Sequence, residues 1–386
     1  MKRRALSTLC IILGLTTKAW AQDQSVTTAV NTTATSAISA KKEKSKFTAD
    51  WRLRLAGTDF HDDQSQSKYV DFRLDVRSKY LLTESLTLDL QPSIRMVSGQ
   101  NQTIDGADKM ENKILLNQAA AHYTPVEWFR LSAGALNERA IHTSLLIDEL
   151  AFPAARTTAL IKSGIFEMGF YLETAIPTST SLSTNTKDLE PTPSLNTAAL
   201  IWKFQSNKET FWKTGVSYFM YNNLPSAVAQ QSLLLGNTVQ NVSDAQYNFV
   251  YQFQGEEFGT EIQVPVFKYV DFVGQAQYIH NDKAPSEDAT GYLALAGAKI
   301  HMTHNMDWTL KGMYFSIAPE AAVAYFNARG FETNRVGYGA ETLFSFKKEG
   351  FNVGLQYKDA EVMYENPVQS REKQFILKLE TFYADI

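Results

Sequence analysis

The chain has 386 residues, 44% of them hydrophobic and 20% charged, with a formal net charge of −4 and a single cysteine. Mean hydropathy is −0.25, and beyond the first twenty residues no apolar run approaches the roughly 18 residues that a spanning helix needs. These numbers exclude a helical membrane protein and a disulfide framework, and they make nucleic acid a poor partner.

Residues 1–21 read as a secretory signal peptide. Lys2, Arg3 and Arg4 are its basic start, Ala5–Leu15 its apolar stretch, and Ala19-Trp20-Ala21 its cleavage site. Cys10 lies inside this segment, and no lipid-attachment pattern precedes it. Cleavage would remove four of the 37 Lys and Arg (Lys2, Arg3, Arg4, Lys18) and none of the 41 acids, leaving a net charge of −8. Residues 22–45 are rich in Thr, Ser and Ala and close with Lys41-Lys42-Glu43-Lys44. They read as a flexible lead-in, with a short helix as the alternative.

From residue 46 to 386 one pattern dominates. Segments of about ten residues alternate with period two, which on a strand puts one set of side chains on each face. Phe47, Ala49, Trp51, Leu53 and Leu55 alternate with Thr48, Asp50, Arg52 and Arg54. Val70, Phe72, Leu74 and Val76 alternate with Asp71, Arg73, Asp75 and Arg77. Leu86, Leu88, Leu90, Ile94 and Met96 alternate with Thr87, Asp89, Gln91, Ser93 and Arg95, and Phe375, Leu377 and Leu379 with Lys378 and Glu380.

Short connections at 83–85, 125–127, 206–210, 265–269, 303–306 and 347–350 alternate with longer ones at 60–67, 99–110, 137–153, 177–193, 223–243, 281–289, 318–334 and 362–370. That is how a transmembrane β-barrel reads, with tight periplasmic turns and extended extracellular loops. The expected fold is all-β, an antiparallel barrel of about 16 strands, with 14 or 18 still open. Segment 154–161 is placed partly because an even count requires it. Segment 244–264 is long for one strand, and Gly255-Glu256-Glu257 is a possible turn within it.

Trp128, Trp202, Trp212 and Trp308 fall beside short turns, as expected of an interfacial girdle. Closure follows because hydrocarbon leaves no partner for a free sheet edge. About sixteen strands leave a lumen wide enough for water.

The expected inward face of the first three strands carries Arg52, Arg54, Arg73, Arg77, Lys79 and Arg95, with Asp50, Asp71, Asp75 and Asp89 interleaved. It reads either as a selectivity wall or as salt-bridge glue. The loop Asn137–Pro153 turns apolar at Leu145, Leu146, Ile147, Leu150 and Phe152. Folded inward, it would pack these on the wall and present Glu138, Asp148 and Glu149 to the lumen. Thr143 or Ser144 would then cap a short helix over 145–150. The alternative is a loop over the barrel mouth or at a subunit interface.

With these features the chain resembles bacterial outer-membrane porins of the sixteen-stranded, usually trimeric class. The resemblance implies a water-filled channel for passive diffusion of small hydrophilic solutes and ions, set in the outer membrane as a homotrimer in contact with outer-leaflet lipid. It also implies a constriction between Asp148 and Glu149 on the loop and Arg52, Arg73, Arg77 and Arg95 on the wall. The chain departs from the family in lacking Pro-Glu-Phe-Gly in that loop and in ending Phe382-Tyr383-Ala384-Asp385-Ile386 without a terminal aromatic.

Other classes fit less well. A barrel lipid hydrolase needs a His beside a Ser, and only His142 has close hydroxyls, in His142-Thr143-Ser144. His301 and His304 have metal-like spacing without a further ligand, so no metal, cofactor or enzymatic activity is expected. A substrate-specific or plugged barrel, carrying hydrophobic compounds or serving the envelope structurally, is the stronger rival. A soluble exported β-protein is the last.

Overall fold

The structure, a computed structural model, describes residues 46–385 apart from 64–65, 102–111, 178–189, 208, 244–245 and 328–329. The expected signal peptide and lead-in lie outside the described residues. Nine strands open the chain: β1 (Phe47–Asp62), β2 (Gln66–Leu81), β3 (Leu86–Asn101), β4 (Lys113–Val126), β5 (Phe129–Asn137), β6 (Ala151–Ser163), β7 (Phe166–Ala175), β8 (Ser194–Gln205) and β9 (Phe211–Asn222). A helix, α1 (Ser226–Leu234), and a separate hairpin of β10 (Val239–Ser243) and β11 (Gln246–Phe249) follow. The sheet resumes with β12 (Gln254–Phe267), β13 (Val270–Asn281), β14 (Thr290–Thr303), β15 (Met306–Ile317), β16 (Arg335–Phe346), β17 (Phe351–Val362), β18 (Glu372–Thr381) and the two-residue β19 (Ala384–Asp385).

Sixteen long antiparallel strands form the barrel. β9 pairs with β12, and β18 with β19 pairs back onto β1, so the sheet has no edge. Outside, the apolar members of the alternation are exposed: Leu55, Val70, Leu90, Ile94 and Met96 on β1–β3, and Leu377 and Leu379 on β18. Aromatics gather at the short-turn end. Trp212 stacks on Phe204 and Trp308 on Phe344, while their indole N–H groups donate to Thr260 Oγ1 (3.0 Å) and Thr342 Oγ1 (2.7 Å). This is how an indole satisfies its donor while its ring stays apolar.

Three expected elements differ. Strands β1–β3 run 16 residues each, so the connection expected at 60–67 shrinks to 63–65. The segment 244–264 is not one strand: its first part belongs to the hairpin, and β12 begins at Gln254. Gly255, Glu256 and Glu257 are not a turn but ladder residues facing Asn281, His280 and Ile279.

The largest difference concerns the loops. Residues 318–327, within a connection expected as an exposed loop, fold inward with 137–153. Leu145, Leu146, Ile147 and Phe152 pack with Ala321, Ala322, Val323 and Phe326 in one apolar cluster. Val228 of α1 and wall residues that include Phe219, Tyr221, Ile279, Phe315 and Ile317 join it. The reason is compositional: Ala-Ala-Val-Ala-Tyr-Phe at 321–326 gains more by burial than by hydration. Gly236, at φ +112, lets the helix-bearing loop close on this insert, since a Cβ there would sit 2.4 Å from Thr333 O.

Candidate pore lining

Register builds the basic wall. Arg54 on β1 faces Arg73 on β2, which faces Arg95 on β3, while Glu380 on β18 faces Arg54 from the other side. Four strands thus carry one lateral row, Glu380-Arg54-Arg73-Arg95. The next row holds Arg52, Asp75 and Ser93.

Asp75 is the hub of these rows, with a side chain 3% exposed. Arg52 Nη2 (3.0 Å), Arg54 Nη2 (2.7 Å) and Arg73 Nε (2.7 Å) all reach its carboxylate. Arg52 also donates to Glu380 (2.9 Å), Arg95 pairs with Asp71, and Arg73 Nη2 donates to Asn117 Oδ1 (3.0 Å). Asn117 reaches the lumen because a bulge in the β3–β4 pairing, between Gln91 and Pro92, lets Asn117 and Gln118 share it. Arg77 binds Asp50 in a bidentate pair (2.8 and 3.1 Å), and its guanidinium lies 3.3 Å from the Tyr383 ring centre. Lys79 stands apart, 65% exposed and 3.9 Å from Asp89. Among the predicted basic residues, Arg54, Arg73 and Arg95 border a cavity of about 710 Å³, and Arg52, Arg77 and Lys79 do not.

The inserted loop faces this cavity. Asp148 and Glu149 border it, and Glu149 Oε2 lies 3.8 Å from Arg73 Nη1 with its side chain 55% exposed. Asp148 N–H donates to Phe326 O (2.8 Å), so the second insert holds this acidic corner in place. Burial raises the Asp148 carboxyl above the ordinary carboxylate range.

Glu138 does not reach the cavity. It opens a short 3₁₀ turn (Glu138–Ala140) capped by the Asn137 side chain, and it is fully buried near Arg156 and Glu173. Burial, and then the neighbouring Glu173 carboxylate, push its carboxyl up to about 10. No helix forms over 145–150: only a single turn closes on Thr143 O, from Leu146 N (3.3 Å) and Ile147 N (3.1 Å).

The Thr143 side chain serves another purpose. Buried Glu257 on β12 accepts from Thr143 N (2.9 Å), Thr143 Oγ1 (2.7 Å) and Ser217 Oγ (2.6 Å), and it contacts His142 Nδ1 at 2.5 Å. Ser144 donates to Gln277 on β13 (2.8 Å). One carboxylate thereby ties the loop to the wall. Gly259 permits the approach, since a Cβ there would lie 2.9 Å from Thr143 Cγ2. Sequence reading missed Glu257: it placed 244–264 as one long strand, left Gly255-Glu256-Glu257 open as a turn within it, and gave no reason to single out one carboxylate there. The available signal was the inward pair Glu257 and Glu261, two apart from Gly259.

No protein-family model matches the sequence, and no curated protein matches it. Solved structures do. The high-pH structure of Pseudomonas putida OprB is 11% identical over 88% of this chain and 94% of that one, with a TM-score of 0.54. A loop-deletion mutant of OmpT, an outer membrane protein of Vibrio cholerae, is 8% identical over 88% of this chain and 100% of that one, with a TM-score of 0.50. At these identities the likeness is one of fold alone, a closed antiparallel barrel that in this chain has sixteen long strands.

Proposed function

We propose that the chain is an outer-membrane channel through which small hydrophilic solutes and ions diffuse passively. The route runs along the arginine wall, past the corner made by Asp148 and Glu149. The observation that carries this reading is the half-exposed Glu149 carboxylate set 3.8 Å from Arg73 at the edge of the cavity that Arg54, Arg95 and Asp148 also border. Opposed charges across a narrow passage order water transversely and favour small polar solutes over apolar ones. The row Arg54-Arg73-Arg95 is largely compensated by Asp71, Asp75 and Glu380, so the loop carboxylates carry the local balance.

The same reading takes residues 1–21 as a cleaved signal, 22–45 as a periplasmic lead-in, and the assembled form as a trimer in contact with lipid. Nothing in it requires catalysis. His142, the histidine with adjacent hydroxyls, is engaged on both ring nitrogens by Glu257 and Thr197 (3.1 Å) and is buried.

A second reading is favoured by the apolar cluster, which fills much of the long-loop end of the lumen. It is a substrate-specific or occluded barrel. Planar-bilayer recording separates the two. Stable, weakly selective conductance steps support the diffusion channel, and silence from correctly folded protein refutes it. Asp148→Asn with Glu149→Gln is expected to shift selectivity towards anions; unchanged selectivity would place the narrowest point elsewhere.

A further inference from the structure

At the root of the inserted loop three ligand-bearing side chains meet out of contact with solvent. Glu138, His142 and Glu173 bring a carboxylate oxygen, a ring nitrogen and a second carboxylate oxygen within 4.8 Å of one another. All three residues are buried, Glu138 completely. Neither Glu138 oxygen has a hydrogen-bond partner, and neither does Glu173 Oε1. Arg156 uses the other Glu173 oxygen (2.5 Å) and stays 3.7 Å from Glu138, too far for a hydrogen bond.

We propose that Glu138, His142 and Glu173 form a zinc site that clamps the inserted loop to β7. His142 is already oriented as a metal-bound imidazole would be. Its Nδ1 is held by the buried Glu257 carboxylate, so the ligand nitrogen is Nε2, which meets the Thr197 hydroxyl on β8 at 3.1 Å; a bound ion would take the place of that hydrogen bond. A carboxylate behind a ligating histidine fixes its tautomer and strengthens its donation. One imidazole and two carboxylates suit Zn²⁺, which takes such mixed sets with water or a hydroxyl as fourth ligand. Bonds of about 2.0–2.2 Å require the three donors to draw closer than they stand. The two unpartnered Glu138 oxygens leave that side chain free to do so.

Charge balance agrees. Three carboxylates (Glu138, Glu173, Glu257), one guanidinium (Arg156) and one divalent ion sum to zero in a buried place. A second cluster, Glu209, Asp271 and His301, is a weaker host because Lys347 and Lys299 stand 3.5 and 3.6 Å from Glu209.

The test uses untagged full-length protein in detergent, stripped with chelator and dialysed against Zn²⁺, with elemental analysis and isothermal titration. One tightly held Zn²⁺ per chain is expected, and Co²⁺ in its place should show the visible bands of a tetrahedral site. Glu138→Gln should weaken binding at least tenfold while the barrel still shows heat-modifiable migration, and His301→Gln should leave it unchanged. No stoichiometric uptake by wild-type protein, or uptake that survives Glu138→Gln, overturns the site and would mean that Glu138 simply keeps its proton. Neither result bears on conductance, so the channel reading stands or falls separately.

Discussion

The two sides of the lumen are built on different physics. On β1–β3 and β18 the inward positions are ionic, and they remain partly hydrated around the 710 Å³ cavity. On β8, β9 and β13–β15 the inward positions at the long-loop end are Leu195, Phe219, Tyr221, Ile279, Leu293, Phe315 and Ile317, buried under folded-in loops. The difference is visible in the strands themselves. Tyr218-Phe219-Met220-Tyr221 and Met313-Tyr314-Phe315 are continuous apolar runs, not alternations. Such runs mean that both faces are covered, one by the bilayer and the other by protein. The lesson is that an alternating strand in a barrel faces water, and a non-alternating one announces an occupant.

The ionic side breaks at its hub. Asp75→Asn leaves three guanidiniums around a neutral amide, and removing one partner of a buried ionic group costs about 3 to 5 kcal/mol. Urea unfolding of the folded barrel measures this; a loss below about 1 kcal/mol would mean that Glu380 and solvent already balance the arginines.

The apolar side breaks at Phe326, whose ring packs against Phe152, Tyr221 and Tyr325. Phe326→Ala should cost about 3 to 5 kcal/mol of insert docking and raise single-channel conductance. If docking weakens with no gain in conductance, the apolar side is not on the solute's path.

A pH titration sharpens the contrast. Burial raises the Glu320 carboxyl to about 7 from 4.5, although it accepts a hydrogen bond from Thr238 N (2.6 Å). A carboxyl raised in the folded state favours its protonated form there. The docked insert is therefore most stable below about pH 4.5 and loses on the order of 3 kcal/mol as pH rises towards 7. Protease access to 318–334 should increase across that window, and Glu320→Gln should flatten the response. A wild-type profile already flat between those values would show that Glu320 is charged throughout.

The smallest effect on stability is expected from Asp148→Asn with Glu149→Gln. Glu149 is half exposed and its pair with Arg73 is long, so the change should stay below about 1 kcal/mol while selectivity moves.

Much of this was legible before any coordinates. Period-two alternation in Val70–Arg77 and Leu86–Arg95 identified the strands, and the alternation of short and long connections, with an even count required of a barrel, gave about sixteen of them. The inward row of arginines followed from parity, whereas the meeting of Glu149 with a basic surface was implied only by the resemblance to porins. Less legible were Asp75 as hub and Glu257 as anchor. Both roles depend on which residues lie opposite in register, and for Glu257 also on a loop that approaches it from more than a hundred residues away.

What the sequence settled by itself is local: which side chain points to which face, where the tight turns fall, and that the greasy face needs lipid. Those properties arise from backbone geometry over a few residues. The tertiary structure alone decided that 137–153 and 318–327 meet inside the barrel, that α1 joins them, and that Glu138 is buried while Glu149 is wet. These outcomes rest on contacts between residues more than a hundred positions apart, such as His142 with Glu257 and Asp148 with Phe326. No short-range pattern records them, because the free energy that selects them exists only once the barrel has closed.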